Sequence, residues 1–240
     1  MKKIKSLVNY FSKGELALWL CSEVVIIAAN ILLGKNDYTS VIASMIGVTA
    51  LIFNAKGNPM GPALMVFFSI FYGYISFTFR YYGEMLTYLG MSMPMAIISL
   101  ISWLKNPYNG HKSEVTVNRY ISKCEQIFMW ALAVAVTIAF YFILKAFNTA
   151  NIIPSTVSVG TSFVAVYLSF RRSPFFALGY AVNDIVLIIL WILASFHDVS
   201  YLSVVICFIA FLANDTYSFI NWRRMSRRQA LGICTSAEPA

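Results

Sequence analysis

Two Asn-Asp pairs, Asn183-Asp184 and Asn214-Asp215, interrupt long apolar runs in a chain with ten acidic residues in all. An ionisable side chain inside a membrane-spanning stretch costs about 2.5 kcal/mol or more, so it is expected to face a cavity and have a task there. Two kinds of chemistry suit such groups. Amides and carboxylates bind a small polar or cationic ligand through hydrogen bonds and charge. Alternatively, two carboxylates share a proton and act as general acid and base.

Both readings need a membrane, and the composition provides one. Hydrophobic residues make up 59% of the chain and charged residues 12%, and the mean hydropathy is +0.71, which excludes an ordinary soluble domain. Apolar runs of about 17 to 25 residues cross a hydrocarbon core as helices. The chain divides into eight, at 15–33, 40–55, 59–79, 84–104, 125–146, 155–170, 174–195 and 199–222. The expected class is an all-α, polytopic membrane protein.

Lysines and arginines in short loops stay on the cytoplasmic side. With eight spans and both termini cytoplasmic, fifteen of the 18 basic residues fall inside, leaving Lys35, Arg80 and Lys145 outside. A seven-span chain would put one basic terminus outside. Topology thus accounts for the net charge of +8, and nucleic-acid binding has no separate support. Residues 1–14 are basic and polar with no small-residue cleavage site, so the first span is expected to be retained. Ile4, Leu7, Val8 and Phe11 form an apolar face suited to the membrane surface. Cys21, Cys124, Cys207 and Cys234 lack paired spacing and read as free thiols.

An internal repeat organises the spans. At an offset of 115, Ser40 falls on Ser155, Ala50 on Ala165, Lys56-Gly57 on Arg171-Arg172 and Pro59 on Pro174. Each copy is an apolar helix, a basic turn, and a proline in the first turn of the next helix, where its missing N–H costs nothing. Trp103 and Trp222 both end a span, at an offset of 119. The expected organisation is an N-terminal amphipathic segment and extra helix (1–39), a first three-helix repeat (40–105), a cytoplasmic loop and linker helix (106–154), a second repeat (155–224) and a cytoplasmic tail (225–240). The linker span makes the two triplets parallel, and such repeats place substrate at their shared interface near the midplane. Transport is therefore the leading class.

Asp184 lies ten residues after Pro174, or ~15 Å along a helix, near the bilayer centre. It shares a helix face with Trp191. Asn214, Tyr217 and Asn221 form a polar stripe, with Asp215, Ser218 and Trp222 alongside; such a stripe should face protein or water. Asn183, Asp184, Trp191, Asn214 and Tyr217 are the expected substrate contacts from the second triplet, with Ser69, Tyr72 and Trp103 from the first. Asp215, Asn221 and Trp222 are assigned to a gate or to structure.

The turn NAKGNP, the YGE at Gly83-Glu84, SWLK ending at Lys105, the Asn183 helix and NDTYSFINW from Asn214 to Trp222 resemble, in that order, the bacterial PnuC-type vitamin transporters. The resemblance runs from about Ser40 to Arg224. The chain departs from that family at Arg171 to Phe176, where an acidic residue and tryptophans are common. The resemblance implies a SWEET-like architecture, a homotrimer, the bacterial inner membrane, and uptake of nicotinamide riboside. Facilitated diffusion, with trapping by a cytoplasmic nicotinamide riboside kinase, is the implied mode. Thiamine, another vitamin or a sugar is the alternative cargo. An intramembrane aspartyl enzyme is the remote alternative, since the GxGD sequence of such proteases is replaced by GYAVND and LANDTY. His111 and His197 fall in opposite loops, so no catalytic set, metal site or cofactor site is expected.

Overall fold

The computed structural model describes residues 10–33, 38–78 and 85–232. The apolar face of Ile4, Leu7 and Val8, the outer Lys35 and Arg80, the Gly83-Glu84 motif and Cys234 lie outside the described residues. Cys21, Cys124 and Cys207 are free.

Eight helices among the described residues are long and apolar enough to cross a membrane. They are α1 (Lys13–Leu33), α2 (Tyr38–Ala55), α3 (Met60–Thr78), α4 (Thr87–Lys105), α5 (Lys123–Ala146), α6 (Ile152–Phe170), α7 (Phe176–Ser195) and α8 (Leu202–Ala230). A 3-10 turn, Val199–Tyr201, leads into α8, and a short hairpin, β1 (Pro107–Tyr108) with β2 (His111–Val115), follows α4. Helix α8 continues eight residues past the expected end at Trp222.

Six helices close a ring in the order α2, α3, α4, α6, α7, α8 and back to α2. The linker α5 packs outside the ring on α6, and α1 fills the groove between α2 and α8. Triplets α2–α4 and α6–α8 thus meet twice, through α4 with α6 and through α8 with α2, as a two-fold relation between parallel triplets requires.

The repeated turns have one geometry. After α2, Asn58 N donates to Phe53 O at 3.0 Å and Gly57 N to Asn54 O at 3.0 Å, with Gly57 at φ +66°. After α6, Ser173 N donates to Leu168 O at 3.0 Å and Arg172 N to Ser169 O at 2.9 Å, with Arg172 at φ +56°. Both are helix ends closed by a left-handed residue, a place glycine fills without strain and arginine fills at some cost.

Linker α5 starts on an N-cap, Ser122 Oγ accepting from Glu125 N at 3.2 Å. Glu125 also pairs with Arg171 and accepts from Tyr167 Oη at 3.3 Å, tying the linker to the second triplet. Where Gly160 of α6 faces α5, a Cβ would stand 2.6 Å from Thr137 Oγ1, so glycine sets how closely these helices approach.

Helix α1 docks through polar contacts. Glu15 accepts from Lys56 Nζ at 3.0 Å and from Tyr217 Oη at 2.8 Å. Ser22 Oγ accepts from Asn214 Nδ2 at 2.9 Å, and Glu23 accepts from Thr49 Oγ1 at 3.2 Å. In a hydrocarbon surround, such bonds replace the hydrophobic drive that would hold a helix in water.

A candidate ligand chamber between the triplets

Helix α7 carries Asn183 and Asp184 at its middle, one residue apart and both buried. Thr161 Oγ1 of α6 donates to Asn183 Oδ1 at 2.8 Å, which fixes the amide from the neighbouring helix of the same triplet. Helix α8 brings Asp215 to the same depth. Both carboxyl groups are buried, and one oxygen of each, Asp184 Oδ2 and Asp215 Oδ1, has no hydrogen-bond partner among the described residues.

These groups line a chamber enclosed by the ring. It runs from Thr87, Thr149 and Ser155 near the end of the bundle opposite the basic turns down to Tyr180, Asp184 and Asp215. The volume open to the centre of a water-sized sphere is ≈ 130 Å³, many times the ~10–15 Å³ that one water needs. Its first-triplet side is aromatic. Phe68 meets Tyr88 at 6.1 Å and Phe211 at 6.2 Å between ring centroids, with Tyr72 packed on Tyr88 at 5.1 Å. Among the described residues no lysine or arginine lines the chamber.

Aromatic residues close the chamber toward the basic end. Trp103, Phe176 and Trp222 are each 0% exposed and pack against Val115 and Val117 of the loop after α4. Trp103 follows the lining residue Ala96, and Trp222 follows Asp215, by seven positions, or ~10 Å of helix.

Asn183, Asp184, Trp191 and Ser69 are therefore in the chamber wall. Five residues sit elsewhere relative to the chamber than the sequence reading places them. Tyr72 stands behind Tyr88 and Phe68, which line the wall while it does not. Trp103 lies in the floor cluster beneath the chamber. Asn214 and Tyr217 point to α1, bonded to Ser22 and Glu15. Asp215, assigned to a gate or to structure, lines the chamber beside Asp184. The reason is helical rotation: each residue turns about 100°, so neighbours Asn214 and Asp215 face different partners. Asn221 and Trp222 hold the floor, Asn221 Nδ2 donating to Ala55 O at 2.8 Å.

Phe208, Phe211, Phe68, Tyr88 and Tyr180 also line the chamber, and sequence reasoning missed them. For α8 the signal existed: extending the Asp215–Trp222 face back by four and seven residues reaches Phe211 and Phe208. Tyr88 lies in a π-helical turn, Thr87–Ser92, whose altered spacing hides it from α-helical periodicity.

Two parallel helix triplets around a buried polar chamber, closed at one end by paired tryptophans, define a membrane transporter of small molecules. The comparisons with known proteins agree. The chain belongs to the family described as nicotinamide mononucleotide transporter, whose model matches residues 37–224. It is 26% identical over 220 residues to the nicotinamide riboside transporter PnuC of Neisseria mucosa, covering 89% of this chain and 82% of that protein. It is 22% identical over 194 residues to the protein of the same name from Haemophilus influenzae, covering 80% and 82%. A crystal structure of the vitamin B3 transporter PnuC has the same fold, with a TM-score of 0.76 at 22% identity over 91% of this chain and 94% of that one.

Proposed function

We propose that this protein takes up nicotinamide riboside across the bacterial inner membrane, with both termini cytoplasmic, by rocking of the two triplets about the chamber. The observation that carries this reading is the chamber's chemistry: a carboxylate pair, the Asn183 amide and aromatic faces, with no cationic residue among the described lining. A pyridinium ring is attracted to aromatic faces and to a carboxylate, by ~2 kcal/mol or more for a desolvated ring contact. Asn183 suits the carboxamide, and Asp184 and Asp215 suit the ring charge and ribose hydroxyls.

The same chemistry argues against the mononucleotide named in the family description. Its phosphate would sit in a chamber with two carboxylates and no lysine or arginine. Thiamine, also cationic and aromatic, is the competing cargo. Facilitated diffusion in a homotrimer, drawn by a cytoplasmic riboside kinase, completes the proposal. Uptake of labelled nicotinamide riboside into proteoliposomes tests it. Expected are saturable uptake at equal rates with and without an imposed proton gradient, weak competition by the mononucleotide, and no accumulation above the outside concentration without an enclosed kinase. Transport of thiamine in preference to the riboside would replace the cargo.

A further inference from the structure

The two repeated turns are alike down to their ion pairs. Tyr10-Phe11-Ser12-Lys13-Gly14-Glu15 at the start of α1 and Tyr120-Ile121-Ser122-Lys123-Cys124-Glu125 at the start of α5 share tyrosine, serine, lysine and glutamate at an offset of 110. Ser12 Oγ accepts from Glu15 N and Ser122 Oγ from Glu125 N, each at 3.2 Å. Each glutamate then holds the basic residue at the same step of a turn: Glu15 accepts from Lys56 Nζ at 3.0 Å, and Glu125 accepts from Arg171 Nη2 at 2.9 Å. Each also accepts from a tyrosine hydroxyl, of Tyr217 and Tyr167.

At the next step the turns part. Gly57 occupies the left-handed position after α2, at φ +66°, and Arg172 occupies it after α6, at φ +56°. A side chain is strained there, and glycine is the residue that avoids the strain. Keeping basic residues on the cytoplasmic side calls for positive charge in this loop, without calling for an arginine at its left-handed step.

Arg172 also lacks an anion. Its Nε is buried without a hydrogen bond, and its two Nη atoms reach the surface, again with no partner among the described residues. Glu125, the carboxylate beside the turn, is taken by Arg171. More positive charge gathers here. Asn118 N donates to Arg172 O at 3.0 Å, which sets the exposed Arg119 against the turn, and the Arg223 guanidinium of α8 lies 5.4 Å from the Phe175 ring. Phe175 and Leu178, three residues apart at the start of α7, are 46% and 44% exposed.

A guanidinium fork matches the oxygens of a phosphate and binds them bidentately. The turn joins two membrane-spanning helices, so it lies at the depth of lipid headgroups, and the Phe175-Leu178 face leads from it toward the hydrocarbon. A soluble phosphate would use the charge and leave that face unused. We infer that the turn after α6 binds an anionic phospholipid, with Arg172 anchoring the headgroup phosphate, Arg119 and Arg223 as flanking charges, and Phe175 and Leu178 against the acyl chains. The turn after α2, with glycine in place of the arginine and Lys56 already paired, has no such site. The inference does not depend on the identity of the cargo.

The test is thermal unfolding of the purified full chain in neutral detergent, with added phosphatidylglycerol, phosphatidylcholine or glycerol 3-phosphate. Phosphatidylglycerol at about ten times its dissociation constant should raise the wild-type Tm by about 3–6 °C, and the other two should leave it within about 1 °C. Arg172→Gly and Arg172→Gln should each lose the phosphatidylglycerol shift. Arg227→Gln, which removes an exposed charge from the tail of α8, should keep it. If the glycine variant does not fold, the glutamine variant decides, since it removes the charge alone.

A shift that survives both changes at Arg172 would overturn the inference. Equal loss in Arg227→Gln would overturn it too, because the attraction would then belong to the basic face as a whole. An equal shift with phosphatidylcholine would remove the headgroup charge from the account, and an equal shift with glycerol 3-phosphate would replace the lipid by a soluble anion.

Discussion

Trp103 and Trp222 occupy equivalent ends of the two triplets, their rings 5.3 Å apart, and each indole reaches across to the other triplet. Trp103 Nε1 donates to Ser169 O at 2.9 Å, and Trp222 Nε1 donates to Asn54 O at 2.7 Å. Ser169 and Asn54 are themselves 115 residues apart, the repeat offset. Their neighbours repeat the pattern, Ser102 Oγ donating to Phe170 O at 2.8 Å and Asn221 Nδ2 to Ala55 O at 2.8 Å. The two triplets are thus latched to each other by four symmetric donors at the chamber floor.

Removing a latch donor should loosen this end without emptying it. Trp103→Phe or Trp222→Phe deletes one buried hydrogen bond and is expected to cost ~1 kcal/mol, whereas either change to Ala should cost ~3–5 kcal/mol through the cavity left behind. Thermal unfolding in detergent would show the two grades. Equal effects of Phe and Ala would mean that the rings' bulk contributes nothing here.

Asn214 and Tyr217 separate the two faces of α8. Asn214→Ala and Tyr217→Phe should lower stability by ~1–3 kcal/mol, because Ser22 and Glu15 of α1 lose buried partners. Affinity for nicotinamide riboside should stay within about twofold, a change below ~0.5 kcal/mol. A large loss of affinity with unchanged stability would return these residues to the chamber.

The eight spans are legible in the sequence because run length and loop charge are local properties. The repeat is legible for a like reason: Gly57 and Arg172, or Trp103 and Trp222, fall at the same step of a turn or helix end. Which side of α8 lines the chamber is not, since Asn214 and Asp215 are adjacent and equally costly in lipid. Only the position of α1, with Ser22 and Glu15 aimed at one stripe, decides it. The π-helical turn at Thr87–Ser92 is equally hidden, because its register depends on packing against α3 and α6.

The extension of α8 past Trp222 has a partner that tests it. Gln229 Oε1 accepts from Val117 N at 2.8 Å, and its Nε2 donates to Val115 O at 3.0 Å, while Val115 N donates to Gly57 O and Asn118 N to Arg172 O. The loop after α4 is thereby pinned to both repeated turns and lies across the floor. Gln229→Ala should raise hydrogen exchange at Val115 and Val117 by about tenfold, the effect of ~1.4 kcal/mol on local opening. Unchanged exchange would show that the backbone bonds to Gly57 and Arg172 suffice.

The account rests on the chamber being the place where nicotinamide riboside binds, and filling it is the most direct test. Ser162 of α6 lines the chamber and is only partly buried, so Ser162→Phe projects a ring into the space. Calorimetric titration of nicotinamide riboside into the wild type and this variant, with thermal unfolding as the check on folding, gives the measurement. The account predicts a stably folded variant whose affinity falls at least about 100-fold, ~2.7 kcal/mol. Undiminished affinity in a folded variant would contradict it.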